Sequence, residues 1–259
     1  MDTAPIQIAV EDAVAVVMLN RPAKRNAMTL AMWQDIAAIF DRLGADPGVR
    51  AIILTGTGGN FSVGADVSEF AAVRATKEQS VAYEIAVDAA SDSIMAAPKP
   101  VIAVLEGYCL GGGCHLSMAC DFRYAHANAL IGIPAAKLSI VYGVRSTQRL
   151  LALVGLRHAK RLLYAAERID AGTALRIGLI DEMSSDPMSD AKGFAASLAA
   201  LAPLSIEGAK QILTGLSMGS GALNQDAAQR FIDFASDSAD YREGRAAFQE
   251  KRQPRFHGR

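Results

Sequence analysis

The sequence predicts an α/β fold that gives way to a purely helical C-terminal region. Two observations carry this reading. Strand-like apolar runs, glycine loops and helical periodicities recur in that order through residues 1–200, and no strand-like run follows Ala202-Pro203. Strands alternating with helices favour crossover units, with their loops gathered at one edge of the sheets.

Each element has its own signal. Residues 6–10 and 14–19 read as strands on either side of Glu11-Asp12, a hairpin pattern. Thr29 can cap a helix whose apolar positions Leu30, Trp33, Ile36, Ala37, Phe40 and Leu43 keep helical spacing up to Gly44. Residues 51–55 form a short apolar run between turn residues, as a buried strand does. A helix over residues 78–95 leads through Pro98-Lys99-Pro100 to a strand at 101–105. Helices at 157–167 and 171–177 precede a short strand at 179–183. Asp240-Tyr241-Arg242-Glu243 has the spacing of a capping box for the last helix. The division expected is a core of residues 1–200 and a helical region of residues 201–259.

Composition narrows the classes. With 259 residues, 51% of them hydrophobic, and a net charge of −1, the chain can bury a large core. That balance argues against a disordered chain and against a nucleic-acid binder. Met1-Asp2-Thr3-Ala4-Pro5 offers neither the basic nor the apolar region of a signal peptide, and charges interrupt every apolar stretch before membrane-spanning length. Cys109, Cys114 and Cys120 make no C-x-x-C pair, and the four histidines are scattered. The expectation is a soluble cytoplasmic protein with reduced thiols and no metal, nucleic-acid or membrane partner.

Two glycine-bearing loops carry the chemistry. Phe61-Ser62-Val63-Gly64-Ala65-Asp66 follows one predicted strand and Gly111-Gly112-Gly113-Cys114-His115 another. A glycine run that opens a helix leaves N–H groups free and lets a ligand approach the backbone closely. One amide from each loop would form an oxyanion hole, often the largest single contribution to acyl chemistry. His115 follows the second loop by one helical turn, so its side chain should lean back over those amides. The positive helix end should keep the ring neutral near pH 7, able to accept a proton or donate a hydrogen bond. The alternative is a histidine bonded within a helix-packing contact.

These segments, in order, resemble the crotonase, or enoyl-CoA hydratase/isomerase, family. The resemblance runs from Leu19-Asn20-Arg21-Pro22 and Arg25-Asn26-Ala27-Met28 through both glycine loops and Lys99-Pro100-Val101-Ile102-Ala103. It continues with Thr147-Gln148-Arg149-Leu150 and Gly178-Leu179-Ile180, and ends at Phe248-Gln249-Glu250-Lys251-Arg252. It implies a ββα spiral with a C-terminal helical oligomerisation region, assembled as trimers or hexamers. It also implies an acyl-CoA substrate, no cofactor beyond that coenzyme A moiety, and hole amides from Ala65 and Gly112. Backbone contacts to coenzyme A are implied at Ala27, Val63, Ala65, Asp66 and Val67, with Lys24 near the phosphates. Phe248 and Lys251 would reach the nucleotide from a neighbouring subunit. From Tyr241 onward six Lys or Arg stand against two Glu, a balance suited either to those phosphates or to a solvated end.

Two positions depart from the family's hydratases, which carry a glutamate where this chain has His115 and another where it has Ala135. Alanine can neither hold a water nor move a proton. Tyr142 matches by its offset a tyrosine of the family's methylmalonyl-CoA decarboxylases. Its phenol could orient a substrate carboxylate beside an apolar wall at Val141 and Val144, or simply pack beneath the pocket. Those decarboxylases differ at Ala65 and His115. Arg145 and Lys137 are further cations for a carboxylate, or solvent-facing; Glu69 could replace a missing carboxylate, or lie on a helix surface. Met28, Met32 and Trp33 read as packing residues. The expected reaction is decarboxylation of a malonyl-type acyl-CoA. The alternatives are hydration or isomerisation by His115, and acyl-CoA binding with little turnover.

Overall fold

The computed structural model describes residues 4–138, 140–219, 221, 222 and 224–259. The chain opens with the hairpin β1 (Ile6–Glu11) and β2 (Val14–Leu19), turned at Asp12 and Ala13 with φ of 48° and 63°. Two left-handed residues give the turn the twist that paired strands need. Helix α1 (Leu30–Ala45) starts where the Thr29 hydroxyl accepts the Met32 amide, and it buries Met32, Trp33, Ile36, Phe40 and Leu43. After β3 (Ala51–Gly56) come the short α2 (Phe70–Val73) and α3 (Lys77–Ala96), which packs on α1.

The second repeat is β4 (Val101–Leu105), β5 (Tyr108–Leu110) and α4 (Gly112–Ala119). Strands β6 (Phe122–His126) and β7 (Leu130–Gly132) lead to α5 (Val144–Tyr164). Then follow β8 (Arg168–Asp170), α6 (Ala171–Arg176), β9 (Glu182–Ser184) and α7 (Pro187–Ala199). Six strands form one sheet in the order β1-β2-β3-β4-β6-β9, parallel from β2 onward, and β5-β7-β8 form a second, smaller sheet. The α/β spiral and its helical end are as expected. Both glycine loops leave the C-terminal ends of strands, β3 and β5.

The differences have local causes. The helix expected at 157–167 begins at Val144 and breaks at Gly155, where φ 68° and ψ 170° suit only glycine. The strand expected at 179–183 is shifted to 182–184, because Leu179 and Ile180 are buried core residues in a turn. Ser238, rather than Asp240, caps the last helix by accepting the Tyr241 amide. The Asp240 carboxylate turns away and accepts the amides of His257 and Gly258.

Helices α8 (Pro203–Ser217), α9 (Gln225–Ser236) and α10 (Ala239–Glu250) complete the described chain. Lys210 ties this region to the core through Asp121 at 2.8 Å and the Lys99 carbonyl at 2.9 Å. Arg50 donates to the carbonyls of Leu201 and Phe256. No described helix is long and apolar enough to cross a membrane.

Gly113 shows how closely α4 approaches the first loop: a Cβ there would lie 2.6 Å from the Ser62 carbonyl oxygen. Gly→Ala inside a helix ordinarily stabilises by about 1 kcal/mol. Gly113→Ala should instead destabilise by roughly 1–3 kcal/mol, the usual cost of overpacking. A thermal melt that rises on substitution would contradict this close approach.

Candidate active site

The site begins with a backbone zipper. Ser62 N–H donates to the Tyr108 carbonyl and Leu110 N–H to the Ser62 carbonyl, each at 2.9 Å, which fastens the first loop along β5. On the other flank Met28 N–H donates to Gly64 O and Asp66 N–H to Met28 O, both at 2.8 Å. Between these bonded residues the Ala65 amide has no partner among the described residues, and neither has the Gly112 amide at the start of α4.

The two amides meet because side chains are missing between them. A Cβ at Gly64 would lie 2.7 Å from the Gly112 nitrogen. One at Gly112 would lie 3.4 Å from the Ala65 nitrogen and 2.9 Å from the Trp33 ring. Ala65, Gly112, His115, Ala135 and Tyr142 border one cavity of about 130 Å³, with Val63, Val67 and Trp33. Tyr142 donates its hydroxyl proton to the Gly111 carbonyl at 2.8 Å, so that proton points at the loop and not at the cavity.

His115 is buried, and its ring is hydrogen-bonded to the Val87 backbone while Nε2 lacks a partner. Burial first, and the nearby Arg149 guanidinium second, lower its pKa to about 3. The ring is neutral as expected, but desolvation rather than the helix end is the main cause. Arg149 itself is buried and donates to the Ser91 hydroxyl at 2.8 Å and to Asp92. It lies in the Thr147-Gln148-Arg149-Leu150 segment, whose spacing does not reveal its neighbourhood with His115.

The other candidates divide clearly. Arg145 pairs with Asp92, and Lys137 is exposed. Glu69 accepts the Leu30 amide at 2.6 Å, capping α1 rather than entering the cavity or lying free on a helix surface. Val141 borders the cavity mouth, whereas Val144 is 82% exposed and takes no part in the wall. Two charged cavity residues had no sequence signal: Arg74 and Glu84, an ion pair at 2.7 Å, with Arg74 over the rings of Phe70 and Tyr83.

A second cavity, of about 530 Å³, shares Val63 and Pro134 with the first and is lined by Lys24, Arg25, Tyr108 and Arg168. The guanidiniums of Arg25 and Arg168 lie 5.2 and 5.9 Å from the Tyr108 ring centre. Arg168 was not foreseen. The amides of Ala27, Val63 and Asp66 are spent on Lys24, Arg25 and Met28 carbonyls. Ser68 and Arg21 hold the Asp66 carboxyl below its usual range. Phe248 and Lys251 are exposed and border neither of these cavities; Phe248 lines a larger apolar one of about 610 Å³ among α8, α9 and α10.

The site is thus a ββα spiral that brings two unpartnered backbone amides together over a largely apolar cavity. The chain belongs to the enoyl-CoA hydratase/isomerase family, whose model matches residues 9–259. A short-chain-enoyl-CoA hydratase of Clostridium acetobutylicum is 37% identical over 206 residues, 78% of each chain. A crotonyl-CoA hydratase of Syntrophomonas wolfei is 34% identical over 254 residues, 95% of each. Among solved structures, a family protein from Hyphomonas neptunium superposes with a TM-score of 0.93 at 35% identity, covering 99% of both chains. The enoyl-CoA hydratase from Bacillus anthracis gives 0.88 at 30%, covering 99% of this chain and 100% of that one.

The depressed His115 pKa has a consequence for stability. Between about 3 and the unfolded value near 6.5 the unfolded chain binds the proton and the folded chain does not. Stability from this group is therefore full above 6.5 and is lost as pH falls toward 3. His115→Gln should flatten that part of the pH–stability curve, measured by denaturant unfolding; an unchanged slope would show that His115 titrates normally.

Proposed function

We propose that this chain is an acyl-CoA enzyme that holds a thioester carbonyl between the Ala65 and Gly112 amides and stabilises the enolate formed from it. The observation that carries this reading is the meeting of two unpartnered amides over a cavity that adjoins a basic one at Val63 and Pro134. A thioester at the amides would send its pantetheine arm past those two residues. Its phosphates would then meet Lys24, Arg25 and Arg168.

Within that class, decarboxylation of a malonyl-type acyl-CoA fits the side chains best. The bond from the α-carbon to the carboxylate breaks, its electron pair passes into the enolate, carbon dioxide leaves, and a solvent proton completes the α-carbon. No protein base is needed to start this. Ala135 offers none, and a ring with a pKa of about 3 accepts protons weakly. Tyr142 would then border the carboxylate without donating to it. The second reading, enoyl-CoA hydration or isomerisation through His115, is favoured by the unpartnered Nε2 and by the hydratase names of the relatives. Turnover of methylmalonyl-CoA beside crotonyl-CoA separates the two. Carbon dioxide release with slow hydration is expected, and Ala135→Glu with His115→Glu should raise hydration. Fast wild-type hydration would reverse the order, and tight binding with no turnover of either would leave a binding protein.

Gly112→Pro removes one donor at a helix position that tolerates proline. Turnover should fall by roughly 10²–10³. Its ring would press on Trp33, so circular dichroism must accompany the assay; a folded, fully active variant would sink the assignment.

Assembly enters the same reading. Phe248 and Lys251 can serve a nucleotide held near Lys24 from a neighbouring subunit of a trimer or hexamer, and α8–α10 offer the apolar surface for it. Truncation after Asp240 should weaken both oligomerisation and coenzyme A binding, read by sedimentation and calorimetry. A folded monomer that binds as tightly would refute this arrangement.

A further inference from the structure

We propose that Tyr142 is a positioning residue for the oxyanion hole: its hydroxyl fixes the Gly111–Gly112 peptide so that the Gly112 N–H faces the cavity. The role rests on the reading of that amide as a donor to a thioester carbonyl. In a planar trans peptide the C=O and the following N–H point in opposite directions, so anchoring one aims the other. The Gly111 carbonyl is anchored twice, by Tyr142 at 2.8 Å and by the His115 amide at 3.0 Å.

The peptide needs such an anchor. Gly111 sits at φ 51° and ψ −116°, a region with little intrinsic preference to hold it. Its own N–H is tied to the Gly132 carbonyl at 2.8 Å, so rotation of the Gly111–Gly112 peptide plane is the motion that the two bonds to the Gly111 carbonyl oppose. That rotation would turn the Gly112 N–H out of the cavity and would break the Tyr142 bond. The tyrosine ring in turn lies edge-on to His115, centres 6.2 Å apart at 78°. A hydrogen bond to a carbonyl also polarises its amide, strengthening the N–H beyond by about 10–30%. A hydroxyl has one proton to donate, so a substrate cannot draw on it while the bond stands.

The test is the infrared carbonyl stretch of [1-¹³C]butyryl-CoA bound to wild type, to Tyr142→Phe, and to protein with 3-fluorotyrosine at position 142. Wild type should lower the stretch relative to free thioester. The phenylalanine variant should lose a large part of that shift with butyryl-CoA affinity little changed, and its kcat on a reactive thioester should fall on the order of tenfold while KM holds. The more acidic fluorophenol, a stronger donor, should lower the stretch further than wild type does. A shift equal in wild type and phenylalanine variant overturns the positioning role alone. No shift in wild type overturns it together with the proposed function. Where the phenylalanine variant does not fold, a fluorotyrosine protein with an unmoved stretch overturns the role by itself.

Discussion

The two backbone hydrogen bonds between Ser62 and the strand β5 are the constraint on which the site depends. They join a loop from the large sheet to a strand of the small one, and so lock the two sheets' C-terminal edges in register. Everything nearby is spaced by that contact: Gly64 and Gly113 lack side chains because backbone occupies the volume. The Ser62 hydroxyl adds a bond to the Asn26 carbonyl at 2.7 Å and receives one from the Gly64 amide at 3.0 Å. A single serine thus connects three segments.

Around the amides the cavity is electrically quiet. His115 is neutral, Tyr142 keeps its proton because burial raises its pKa well above 10, and Ala135 has nothing to ionise. The charges that border it, Arg74 and Glu84, neutralise each other. In such surroundings, with few competing charges, a fixed amide dipole interacts more strongly with a developing charge than it would in bulk water. Cations gather instead in the neighbouring cavity, around Tyr108.

Much of this was legible in the sequence because it depends on local chemistry. The Thr29 cap, the hairpin, the long strands and the two glycine loops follow from neighbouring residues and from hydrophobic period. The three strands of the small sheet, three residues each, are too short to show a period and exist through pairing. The break at Gly155 hid the first half of α5 for a similar reason. At the site, spacing picked out the two glycine loops and the place of His115, while Ala65 and Gly112 were implied by the family resemblance. The direction of the Tyr142 hydroxyl, the inward turn of Glu69 and the approach of Arg149 to His115 could not be read from it. They depend on residues 31–39 positions apart in the chain brought together by the fold.

The donors proposed for the hole are peptide groups, and this separates what mutation can reach from what it cannot. Exchanging a side chain at 115 or 135 would change which groups can move protons, yet removes neither N–H; only at 142 does a side chain hold one of the two peptides directly. Among the genetically encoded residues only proline lacks the N–H itself. A lineage carrying this scaffold can therefore replace its acid–base groups one at a time without passing through a form that has lost its hold on the carbonyl. Divergence of reaction under a constant fold is the expected outcome of such an architecture, and the histidine and alanine of this chain are one point along it.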